Sequence, residues 1–89
     1  MKPYIKKYFD FFDIGYYPDG SHDVIKCELC GKIAVDIMHI IPKSRGGKDV
    51  IKNLMAGCRS CHEENEGRNI EEMQGIHLRV IENKLNLIK

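Results

Sequence analysis

Two cysteine pairs, CELC at Cys27 and Cys30 and CRSC at Cys58 and Cys61, supply four thiols that one metal ion can gather. Two residues between the sulfurs of a pair let both reach the same tetrahedral ion at about 2.3 Å, and four thiolates make a closed, structural zinc (Zn2+) site with no open catalytic position. Two disulfides are the competing use of four cysteines. The chain starts MKPYIKKYFDFFDIG, with no uninterrupted apolar run and no small-residue cleavage site, so no secretory signal is expected. The expected setting is intracellular and cytoplasmic, where thiols stay reduced and paired Cys-x-x-Cys motifs bind metal. His62 follows the last cysteine directly, and four thiolates on the zinc leave it available for other chemistry. The 27 residues between the pairs exceed the interval of a compact zinc ribbon. The inserted stretch, AVDIMHIIPKSRGGKDVIKNL, carries Asp36, His39 and Asn53. A clamp holds what it encloses, and this stretch is the expected reaction site.

The elements that must position these residues are short. Tyr4, Tyr8 and Phe12 recur every four residues, with Ile5 and Phe9 beside them, which predicts an amphipathic helix over about 3–12 with Pro3 in its first turn. The ring-rich face is expected to pack as core. Gly15 to Gly20, with Pro18, reads as a loop. Asp23–Leu29 and Lys32–Ile40 are rich in β-branched residues and read as two antiparallel strands joined through the first cysteine pair, with Gly31 at the turn. Pro42 ends the second strand, because it cannot donate to a ladder. Gly46-Gly47 marks a loop, and the residues around Asn53 to Ala56 read as a short turn of helix. The second cysteine pair opens a helix running through Glu66, with Gly67 as its stop. A further helix is expected over about 70–88, with Met73, Ile76, Val80, Ile81, Leu85 and Leu87 forming its apolar stripe.

A chain of 89 residues makes one domain, 1–89, and buries roughly 60–65% of its unfolded surface, so a metal staple is useful to it. No stretch approaches the roughly 20 apolar residues of a membrane span, and no membrane partner is expected. The formal charge is +1, and four zinc-bound thiolates with one dication lower it by two, to about −1. Distribution matters more than the total. Lys43, Arg45, Lys48 and Lys52 face a single acid, Asp49, whereas five glutamates between Glu63 and Glu72 face only Arg68. Lys43, Arg45 and Lys48 are the expected phosphate contacts.

The linked run CELCGKIAVDIMHIIPKSRGGKDVIKNLMAGCRSCH resembles the HNH endonuclease motif with its zinc knuckles, over a core of residues 27–65. The resemblance implies an α+β fold, a small zinc-stapled ββα-metal (His-Me finger) domain in which two strands and a helix surround a catalytic divalent ion. It implies hydrolysis of phosphodiester bonds in DNA, by nicking or double-strand cleavage. His39 is then the general base, since a neutral imidazole can take a proton from water at physiological pH. His62 is a ligand of the catalytic ion, Mg2+ or Mn2+, and Asn53 is the central residue of the motif, bridging the loop backbone to hold His39. Gly46 and Gly47 let the intervening loop turn back.

This sequence departs from the family at Met38, where members usually carry a histidine or aspartate that helps bind the catalytic ion. A thioether suits neither magnesium nor manganese. Asp36 lies two residues earlier, on the same strand face, and is the candidate to supply an oxygen. The ion is otherwise held by His62, phosphate and water, or activity is lost. The alternative function is therefore a catalytically weakened or inactive zinc-binding module that binds nucleic acid or a protein partner. Specificity would come from a homodimer or a larger complex. Small standalone proteins of this kind are often encoded by phages or mobile elements. His22 and His77 have no motif partners and read as structural or exposed.

Overall fold

A computed structural model describes residues 2–63 and 69–88. Three α-helices and one two-stranded sheet make up its regular structure: α1 Pro3–Phe11, β1 Asp36–His39, β2 Leu54–Gly57, α2 Arg59–Glu63 and α3 Ile70–Ile88. Single 3-10 turns at Lys43–Arg45 and Ile51–Asn53 shape the loop between the strands.

Helix α1 starts at Pro3, where a missing N–H costs nothing. It ends in a Schellman motif. Asp13 adopts a left-handed φ of 55°, Ile14 N–H donates to the Phe9 carbonyl at 2.9 Å, and Asp13 N–H donates to that of Asp10. Tyr8 and Phe9 are buried against Ile37, Leu54, Ala56 and the cysteines.

The strand pairing differs from the sequence reading. The expected hairpin of Asp23–Leu29 with Lys32–Ile40 shrinks to a short ribbon, with Ala34 N–H donating to Ile25, Cys27 N–H donating to Lys32, and a single bridge between Lys26 and Ile33. Residues of a Cys-x-x-Cys knuckle must curl to bring both sulfurs to one side, which interrupts a ladder. Gly31 makes that curl at a φ of 80°. The regular sheet begins only at Asp36 and pairs antiparallel with Leu54–Gly57, the segment read as a helical turn. Only the 3-10 turn at Ile51–Asn53 is helical there. All four residues of β2 are buried, so the alternation that marks a half-exposed strand is missing.

The sheet separates two apolar layers. Ile37 faces α1, while Met38 and Ile40 pack with Met55 and Met73 of α3. Met73, His77 and Ile81 form the buried stripe of α3, four residues apart, and Leu85 is exposed. The expected side chain of Leu87 lies outside the described residues, as do Glu66 and Gly67 and most of the acidic stretch after Glu63.

A buried polar knot fastens α3 to the first knuckle. The Glu28 carboxylate accepts from Tyr8 Oη at 2.6 Å and from Ala56 N–H at 2.9 Å, and its other oxygen lies 2.6 Å from His77 Nδ1. His77 Nε2 donates to the Ile51 carbonyl at 2.6 Å, and the His77 side chain is 1% exposed. Burial first, and the Glu28 charge second, push the Tyr8 hydroxyl well above the usual tyrosine range, so it stays a donor. His77 is thus a structural histidine. Among the described residues no helix is long and apolar enough to cross a membrane.

Candidate active site

The four cysteine sulfurs all lie within 4.8 Å of one another. Cys30 and Cys58 are 3.5 Å apart. A disulfide needs about 2.05 Å, whereas the edge of a tetrahedron with 2.3 Å bonds is about 3.8 Å. The spacing fits four thiolates around one zinc ion. Without an ion the thiols cannot all shed their protons. Burial pushes Cys27 up, but N–H groups of Cys58, Cys30 and Leu29 outweigh it and bring it down to about 7. Burial and then the thiols of Cys58, Cys27 and Cys30 push Cys61 up to about 12. A dication replaces those protons and removes the conflict.

Cys58 also leads into α2, whose first turns carry Cys61 inward and His62 outward. His62 thereby reaches a cleft of about 600 Å³ lined also by His39, Met38, Lys43, Asp49 and Tyr4. The cleft takes three consecutive residues of β1, Ile37 to His39, so it follows the strand edge that β2 leaves unpaired.

Both histidines are tethered to aspartates. His62 Nδ1 lies 2.9 Å from Asp36 Oδ2, with both side chains nearly half exposed. His39 Nε2 lies 2.6 Å from Asp49 Oδ1, and Lys43 Nζ sits 3.1 Å from the other Asp49 oxygen. The His39 hydrogen bond, and then that of Lys43, hold the Asp49 carboxyl below the usual carboxylate range. The Tyr4 ring packs 4.7 Å from the His39 ring, centroid to centroid.

Asn53 organises the loop beneath. Its side chain accepts from Ile41 N–H at 2.7 Å and donates to the carbonyls of Ile41 at 3.1 Å and Lys48 at 3.0 Å. Gly46 takes a left-handed φ of 87°. At Gly47 any Cβ would stand 1.7 Å from the Ile41 carbonyl oxygen, so the chain can pass there only as glycine.

Of the basic candidates, Lys43 lines the cleft, while Arg45 and Lys48 are exposed on the adjoining loop and do not line it. Lys2 lines it too, a cation the motif does not include. Met38 is 3% exposed and packs under the cleft, its sulfur against Gly57. Asp36 is exposed and paired with His62. Among the described residues the four cysteines are the one group of three or more candidate ligand side chains close enough to share an ion. His62 and Asp36 form a pair. Sequence reasoning missed Asp49, whose available signal was its isolation as the only acid in a basic loop. It also missed the role of Tyr4, which reads as one more core ring.

A four-thiol clamp, an antiparallel strand pair and a short helix, with one histidine on the strand and one on the helix, make up a small α+β domain of the ββα-metal kind. Residues 27–68, just under half of the chain, match the family model of HNH endonucleases. The chain is 36% identical over 58 residues to the type IV methyl-directed restriction enzyme EcoKMcrA of Escherichia coli (strain K12), a match covering 53% of this chain and 21% of that protein. The chain therefore spans only about a fifth of the curated relative's length. No solved structure gives a significant match.

Proposed function

We propose that the chain is a metal-dependent endonuclease that hydrolyses phosphodiester bonds in DNA, acting as a single domain with His39 as general base. The observation that carries this reading is the convergence of His39 and His62 on one cleft beside the thiol clamp, each held at one ring nitrogen by an aspartate. A histidine fixed at one nitrogen offers the other in a defined direction, which both proton abstraction and metal ligation require.

His39 takes the proton from the attacking water. His62 offers Nε2 to the catalytic ion, Mg2+ or Mn2+, with Asp36 beside it as ligand or as the carboxylate that orients the ring. Two protein ligands suit a hard cation that keeps several waters and borrows substrate phosphate oxygens. When bound, that ion polarises the scissile phosphate and neutralises the departing oxygen. Asn53 holds the loop that carries Lys48 and Asp49. Lys43 meets phosphate in the cleft, and Arg45 and Lys48 meet it further along the backbone. The chain reads little sequence itself, and selection of the target comes from a homodimer, a larger complex or additional chain.

A second reading, a weakened or inactive module that binds nucleic acid or protein, is favoured by one observation. Met38 lies buried where the family supplies a ligand. Supercoiled plasmid incubated with Mg2+ or Mn2+ separates the two readings. Relaxed or linear product that disappears in His39→Ala supports the nuclease, and full retention of supercoiled DNA at high protein supports the binding module.

A further inference from the structure

Asp49 has no place in the His-Asn-His pattern, and its surroundings are more elaborate than a loop carboxylate needs. One oxygen bonds His39 Nε2 at 2.6 Å, and the other meets Lys43 at 3.1 Å. Its backbone carbonyl accepts from Lys7 Nζ of α1 at 2.8 Å. The residue before it is pinned by Asn53 through the Lys48 carbonyl. The His39 side chain is 14% exposed, and its ring packs against the tilted ring of Tyr4, also of α1. Helix α1 lies entirely outside the segment that matches the HNH family.

The hydrogen-bond chemistry of this contact fixes the imidazole. An ionised carboxylate has lone pairs and no proton to give, so the nitrogen facing it must carry the hydrogen. Lys43 and the contact itself keep the Asp49 carboxyl ionised. With the proton on Nε2, the lone pair of neutral His39 is confined to Nδ1. Rotating the ring by half a turn would put a ring carbon where Nε2 meets Asp49 and break the contact, so orientation and tautomer are set together.

We propose that Asp49 is the positioning residue of His39, holding it by Nε2 so that Nδ1 is the proton-accepting atom, and that Tyr4 and Lys7 of α1 fix this pair in place. In the reaction the water proton passes to Nδ1, giving an imidazolium whose Nε2–H still faces Asp49, and the hydroxide so formed attacks phosphorus as the leaving oxygen departs with its electron pair. The assignment rests on the nuclease reading for its consequence, and its geometry can be read without DNA.

The test is nitrogen-15 NMR of the histidine rings in the full, zinc-loaded chain, at a pH where His39 is neutral. The His39 signals are assigned by their loss in His39→Gln. The native chain is expected to show His39 as the Nε2–H tautomer. Asp49→Ala and the near-isosteric Asp49→Asn, each checked for one bound zinc per chain, are expected to show a mixture of tautomers. Plasmid nicking by both should slow by roughly 10- to 100-fold in kcat, on the scale of losing the carboxylate partner of a metal-bound histidine, with KM for DNA nearly unchanged. Tyr4→Leu should produce a smaller shift in the same direction. An Nδ1–H tautomer in the native chain, or an unchanged Nε2–H tautomer in both Asp49 variants, overturns the proposal. If the native chain shows the expected tautomer response and cleaves no DNA, the nuclease reading fails while the assignment of Asp49 stands.

Discussion

Replacing His77 with leucine removes two hydrogen bonds of 2.6 Å from a side chain that is 1% exposed. The apolar replacement has similar volume, so the loss is mainly polar. The Ile51 carbonyl is left without its partner, at about 1–3 kcal/mol for a desolvated acceptor. Glu28, itself 4% exposed, keeps Tyr8 and Ala56 as donors but loses the ring nitrogen that its other oxygen meets at 2.6 Å. Breaking one side of such a buried pair costs about 3–5 kcal/mol. That is a fifth or more of the roughly 5–15 kcal/mol that holds a domain folded, and it lowers the melting temperature by about 12–40 °C in a chain of this size. Denaturant titration at fixed excess zinc measures the loss. Because Glu28 lies inside the first cysteine pair, zinc release to a chelator should also quicken in the variant. A double-mutant cycle with Tyr8→Phe isolates the coupling through Glu28, expected to be at least about 0.5 kcal/mol. A loss below about 1 kcal/mol, or strict additivity in the cycle, refutes the view that this knot ties α3 and α1 to the zinc knuckle.

Asn53→Ala removes three side-chain bonds to the loop, and should cost about 2–4 kcal/mol in thermal unfolding and reduce nicking together with it. Gly47→Ala places a methyl against the Ile41 carbonyl and should destabilise by about 3 kcal/mol or more, whereas Gly75→Ala, with nothing within 4 Å, should stabilise α3 by up to about 1 kcal/mol. Chelation should release one zinc per chain, read by native mass spectrometry, and collapse the circular-dichroism signal, since structural zinc contributes on the order of 10 kcal/mol to small domains. Asp36→Asn should weaken divalent-ion binding in calorimetry by roughly 10-fold or more, leaving the zinc content unchanged.

The clamp and the aromatic face of α1 were legible because both are local. Two sulfurs two residues apart and rings every four residues carry their geometry in their spacing. The pairing of β1 was not. Val24, Ile25, Ile33 and Val35 have strand-forming character, yet the knuckle between them bends the chain out of register, and β1 finds its partner in a fully buried segment with no alternation to reveal it. Strand period alone puts Asp36 on the face of Met38, while its bond to His62 crosses 26 residues. Glu28 and His77 are 49 residues apart, a contact that no local pattern encodes. Asp49 was visible only as charge, because a loop aspartate has no periodicity from which a partner can be read.

The central claim is that the clamped cleft cuts DNA with His39 as its base. One preparation, assayed for zinc content and then for conversion of supercoiled plasmid with Mg2+ or Mn2+, tests it most directly. The expected result is one zinc per chain, metal-dependent appearance of nicked or linear DNA, and loss of that product in His39→Ala at unchanged zinc content. Plasmid that remains supercoiled at high protein, or cleavage that survives in His39→Ala, contradicts it.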